Sequence, residues 1–152
     1  LFRSKAKKLF SKFGVLSERE LEARAEINWE RYVKVQNIEA NLTLEMAKTM
    51  ILPAAASYIA EISVAAAVSK GVKKVSDKVA ALADQLVDAI HALEKAQHGA
   101  HHAGSLQAEA KAFKDAVIPA QEAVRAAADE LETLVSDELW PLPKYRELLF
   151  QY

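Results

Sequence analysis

The chain has 152 residues, 20 lysines and arginines against 21 aspartates and glutamates, a formal net charge of −1 and no cysteine. That length holds one domain with a core of its own. The near-zero charge excludes bulk steering toward nucleic acid or an anionic membrane, and the missing thiols exclude disulfide scaffolds, thiolate zinc sites and thiol nucleophiles, which suits a reducing, cytoplasmic compartment.

Hydrophobic residues make up 51% of the sequence, with only four glycines and four prolines to punctuate them, so helix is favoured over sheet. The opening segment places Phe2, Ala6, Leu9 and Phe13 on one helical face and Arg3, Lys5, Lys7, Lys8 and Lys12 on the rest, a short basic amphipathic helix closed by Gly14. No apolar stretch follows to make a signal peptide, and a first residue of Leu1 rather than Met reads as the cut end of a longer chain. Ser17 stands three residues before Glu20, the capping-box spacing that opens a helix. The long helix predicted from there has an apolar stripe of Leu21, Ala25, Trp29, Tyr32, Val35, Ile38, Leu42, Met46 and Met50, with no glycine or proline before Pro53.

From Met50 to Val68 nearly every residue is apolar, a run close to the roughly 20 residues of a membrane span. Alanine contributes little transfer energy, and Glu61 near the middle would cost about 2.5–3.5 kcal/mol in a bilayer. The run is therefore expected to be a helix buried on most sides by its neighbours, not a membrane segment. Gly71, Lys73 and Lys74 are expected to end it, and Ser76 and Asp77 to start the next helix, whose stripe is Val79, Leu82, Leu86, Ile90 and Leu93. HGAHHAG, His98 to Gly104, carries two glycines and little to bury, and reads as the clearest loop.

After that loop Leu106, Ala110, Phe113, Val117, Ala120, Val124, Ala127, Leu131 and Leu134 alternate gaps of four and three, the repeat of helices packed side by side. In the closing ELWPLPKYRELLFQY, Pro141 and Pro143 prevent helix continuation, and the aromatic tail from Trp140 to Tyr152 has to dock on something. One motif recurs: Lys48 to Ala54 reads KTMILPA and Lys114 to Ala120 reads KDAVIPA. Each proline deletes a helical hydrogen bond, so both long helices are expected to bend there and stay in contact. The fold class that follows is all-α, an antiparallel bundle of long, partly proline-kinked helices over residues 1–152.

Chemistry is sparse. His98, His101 and His102 invite a metal reading, but a glycine-containing loop without a nearby carboxylate is a poor metal site, and a solvated turn is expected. The Glu-x-x-His pairs of a di-iron bundle are absent; Asp88 with His91 is the nearest approach. No phosphate-binding glycine loop, G-x-S-x-G or HExxH occurs. Glu61 sits among apolar residues where burial would raise its pKa, yet a lone carboxylate on a bundle helix is expected at a boundary. Trp29, Tyr32 and Met46 at helical spacing are read as core, and the basic first helix as a cover for a neighbouring domain. No catalytic, cofactor-binding or metal-binding residue is assigned.

Three stretches carry a family likeness: Lys8 to Arg24 (KLFSKFGVLSERELEAR), Val35 to Ala55 (VQNIEANLTLEMAKTMILPAA) and Phe113 to Phe150 (FKDAVIPAQEAVRAAADELETLVSDELWPLPKYRELLF). Together they resemble the C-terminal region of type III glutamine synthetases, the large bacterial form of that enzyme. The last stretch is the most specific; Ala56 to Gln107 would match many helical proteins. The resemblance implies a parent that joins ammonia to glutamate with ATP and magnesium or manganese, in cytoplasmic homo-oligomers. It implies that the catalytic motifs lie upstream of Leu1, so the expected role here is structural, with the catalytic domain of the same chain as partner and neither nucleic acid nor membrane. A free-standing interaction or regulatory bundle is the alternative.

Overall fold

In the computed structural model, which describes residues 4–143 and 145–149, no strand occurs among the described residues and the all-α reading holds. α1 (Ser4–Lys12) ends at Gly14, whose φ of 62° suits glycine. Phe2 of its expected stripe lies outside the described residues. The capping box forms as predicted: Glu20 N donates to Ser17 Oγ at 3.3 Å, and Ser17 N donates to Glu20 Oε2 at 2.8 Å. From there α2 (Glu18–Met46), a π turn (Ala47–Ile51) and α3 (Leu52–Val68) run without a break as one rod of 51 residues. α4 (Lys70–His101) returns antiparallel to it, and α5 (Leu106–Ala112), a second π turn (Phe113–Val117) and α6 (Ile118–Glu132) make a third rod. α7 (Tyr145–Leu149) follows.

The three rods enclose one core, with α4 packed against both others. Its expected stripe, Val79, Leu82, Leu86, Ile90 and Leu93, is buried throughout, facing Phe113, Val117, Val124 and Leu131 of the third rod. Trp140 is buried in the same cluster with Leu139 and Leu142 against it, so the start of the tail docks on the bundle. The rest of that expectation divides: Leu148 and Leu149 of α7 are exposed, while Phe150 to Tyr152 lie outside the described residues.

The repeated motif has a structural meaning. Leu52 N–H bonds to Ala47 O and Ile118 N–H to Phe113 O, five residues back in each case. In a regular α-helix the rings of Pro53 and Pro119 would strike the carbonyls of Thr49 and Asp115 four residues earlier; a turn widened by one residue removes that clash. Both prolines are exposed, so the bonding capacity they remove faces water. Ala47, Ile51, Phe113 and Val117 point inward, and each π turn seats against the opposite rod, the first on α6 and the second on α2.

Four expectations are corrected. The break before α4 falls at Ser69, whose extended backbone and Oγ, accepting from Val72 N at 3.4 Å, cap the helix; Gly71, Lys73, Lys74, Ser76 and Asp77 are all helical, and Lys73 with Asp77 forms an i,i+4 ion pair. The segment His98 to Gly104 is only partly a loop, since α4 runs through His101, anchored by buried Ala100, and the turn is confined to residues 102–105. On α2, Leu21 and Ala25 are buried and Trp29 and Tyr32 partly so, but Val35, Ile38 and Leu42 face solvent. The inner face is carried by Val33, Ala40 and Ala47, whose small side chains at Ala40 and Ala47 allow close approach of the neighbouring rods. Finally, α3 is not buried on most sides: only Ala54 and Ala55 are, while Val64 and Val68 are 79% and 87% exposed. Glu130, near the end of α6, lies beside Lys78 at 3.7 Å, so among the described residues the third rod stops short of the α3–α4 tip. By length and composition alone the first rod could also cross a bilayer.

Candidate functional site

The densest polar constellation is a seam joining the three rods. The Gln97 Nε2 amide on α4 donates to Asn37 Oδ1 at 2.6 Å and to Asn41 Oδ1 at 2.7 Å, both on α2. His101, at the last residue of α4, puts Nε2 3.0 Å from Asn37 Oδ1 and Nδ1 2.8 Å from Glu109 Oε1 on α5. Phe113 and the imidazole pack in a T-shaped arrangement with ring centres 5.3 Å apart. Further along the same two rods Lys48 bonds to Glu94, and that hydrogen bond holds the Glu94 carboxyl below its ordinary 4.5.

These groups use one another's bonding capacity. Both amide protons of Gln97 are donated, one of them to Asn37 Oδ1, which also has His101 Nε2 at 3.0 Å. A histidine beside a carboxylate is the start of a base-and-orienter pair, and here the ring nitrogen that would act, His101 Nε2, has Asn37 Oδ1 standing 3.0 Å away on its outer side. The seam ties α2, α4 and α5 together through these side chains.

The histidines do not converge. His98 and His102 stack at 4.4 Å, and His102 Nδ1 lies 2.7 Å from the His98 carbonyl oxygen, while His101 turns away to Glu109. The expectation that no carboxylate stands near this cluster is wrong: Glu109 lies eight residues on, across the short turn, and only the closure of that turn brings it to His101. Asp88 and His91 are exposed on α4. Among the described residues no three His, Asp or Glu side chains are grouped to hold an ion. With no glycine-rich phosphate loop in the sequence either, this donor set does not fit the ATP and divalent metal implied for the parent enzyme.

Glu61 is in solvent, at neither a core nor a cavity. Trp29 and Tyr32 are half-buried against the core. Met46 lines a groove of about 650 Å³ between α2 and α6, floored by Ile51, Val124 and Leu142 and crossed by a 3.3 Å bond from Gln121 Nε2 to Thr43 Oγ1. On basic α1, Lys7 bonds to Glu22 at 2.6 Å and approaches Glu18 at 3.4 Å, chiefly the first raising its pKa above 10.5. That lysine ties α1 to α2.

Residues 1–70 match the family model described as the glutamine synthetase C-terminal domain, a span that contains the first two of the three recognised stretches. The chain is 32% identical to a glutamine synthetase of Bacteroides fragilis (strain YCH46), over 90% of this chain and 20% of that protein. It is 32% identical to a type-3 glutamine synthetase of Dictyostelium discoideum, over 94% of this chain and 21% of that protein. The chain thus spans about a fifth of the length of the curated relatives it matches.

Proposed function

Because the chain belongs to the glutamine synthetase C-terminal domain family, in its type III form, we propose that it is a non-catalytic support for a cytoplasmic ligase that makes glutamine from glutamate, ammonia and ATP. In this reading the ATP and magnesium or manganese are held elsewhere in the enzyme, and the rods brace the catalytic part and help to join subunits. One observation carries the proposal: the seam from Lys48 to Glu109 spends its hydrogen-bonding groups on fixing three helices, while apolar side chains are left outside on α2 and α3. Such a molecule offers stiffness and surface.

The test is deletion of the corresponding segment from a full-length type III synthetase. The expected result is loss of assembled enzyme on sedimentation together with loss of activity. A truncated enzyme that assembles and turns over like the complete one would refute the support role and favour a free-standing interaction module.

A further inference from the structure

The outer face of α2 holds a second apolar seam that the bundle does not use. Arg31, Val35, Ile38, Leu42 and Glu45 follow one another at gaps of four, three, four and three, which places them on one side of the helix. All five are exposed, with Ile38 at 65% and Leu42 at 52%. They lie opposite Ala40, which is fully buried against the other rods.

The charges along this stretch are sorted. Between Ile27 and Thr49, Lys34 pairs with Glu30, Glu39 takes a bond from Gln36, and Lys48 pairs with Glu94. Arg31 and Glu45 make no ion pair or side-chain hydrogen bond among the described residues. The two uncommitted charges are of opposite sign, and each stands seven residues from Ile38, one before and one after. Seven residues are about 10.5 Å along a helix.

We propose that this face is a self-complementary interface for a second copy of the chain, in which two α2 helices cross antiparallel about a two-fold axis at Ile38. That arrangement puts Arg31 of each copy opposite Glu45 of the other, Val35 beside Leu42, and Ile38 against itself. A parallel pair would set Arg31 on Arg31 and Glu45 on Glu45, so the charges select the antiparallel one. The α3–α4 tip also exposes valines, but it carries no such matched charges about a centre. The proposal rests on the reading of the chain as an assembly-supporting domain, and it names the surface and the partner.

The experiment uses the 152-residue chain in three measurements. Sedimentation equilibrium is expected to show a reversible dimer at micromolar concentration. Arg31→Glu or Glu45→Arg alone is expected to raise the dimer Kd about tenfold, since each places like charges at both ends of the seam; the two together restore the wild-type value. The chain has no cysteine, so Ile38→Cys is expected to give a disulfide-linked dimer on mild oxidation, whereas Val64→Cys on the tip does not. A chain that stays monomeric, a double reversal that fails to restore dimerisation, or cross-linking through Val64→Cys in place of Ile38→Cys overturns the proposal. Each of those outcomes leaves the deletion experiment above to judge the support role on its own.

Discussion

Two substitutions two residues apart on α2 decide which face of the rod is the core. Ala40 is fully buried and Leu42 is 52% exposed. Ala40→Leu adds three carbons where there is no room, and overpacking of that kind costs about 1–3 kcal/mol. Leu42→Ala removes a side chain already half in water, and because that side is open it leaves no cavity. Full burial of a leucine is worth about 1.5–3 kcal/mol, so the loss here is about 1 kcal/mol or less, reduced further by the better helix propensity of alanine. Urea denaturation followed by circular dichroism, at a protein concentration low enough to keep the chain monomeric, measures both. The expected order is Ala40→Leu clearly more damaging than Leu42→Ala. The reverse order would mean that α2 is rotated so that Val35, Ile38 and Leu42 face inward, and the packing described above would be wrong.

Phe113→Ala empties a fully buried site at the second π turn and is expected to cost about 3–5 kcal/mol in the same urea assay, against less than about 0.5 kcal/mol for alanine at exposed Phe13. Ser17→Ala removes the hydroxyl half of the capping box and is expected to lower the melting temperature by about 2–4 °C. The pH dependence follows from the same cap: the Ser17 hydroxyl, then the Ser17 backbone N–H, hold the Glu20 carboxyl below its ordinary 4.5. A folded-state value below the unfolded one means that this contribution is complete above the ordinary value and is lost as pH falls through the folded one. Acid titration of helicity is expected to fray the start of α2 below about pH 4.5, and Ser17→Ala to weaken that part of the transition, with the residue-17 backbone N–H still in place; an unchanged titration would contradict the cap's role.

The sequence is most legible where one pattern has one solution. The stripe of α4 and the repeat from Leu106 to Leu134 each offer a single apolar face, and those faces form the core. α2 offers two. Periodicity identified Val35, Ile38 and Leu42 as a face, but it could not show that the inward face is built from alanines, because close helix approach rewards small side chains that carry little hydrophobic signal. The stretch from Met50 to Val68 misled for a related reason: its composition suits burial, yet burial depends on how far α6 extends, and α6 ends beside Lys78. The recurrence of lysine, proline and alanine marked two special turns and was read as a pair of bends, whereas what the structure shows there is a widened π turn ahead of each proline, which depends on hydrogen-bond register. The polar seam was invisible for a different reason. Asn37, Gln97, His101 and Glu109 belong to three helices, and only their packing brings the four together.

Whether these residues perform chemistry or hold helices apart from it can be measured directly by incubating the purified chain with ATP, glutamate, ammonium and magnesium and assaying glutamine. The rods described here are expected to yield none, because the one histidine–carboxylate pair at the seam has Asn37 Oδ1 3.0 Å from its other ring nitrogen, where a substrate proton would have to stand. Glutamine formed in proportion to the amount of chain, and abolished by a substitution within it, would contradict the account.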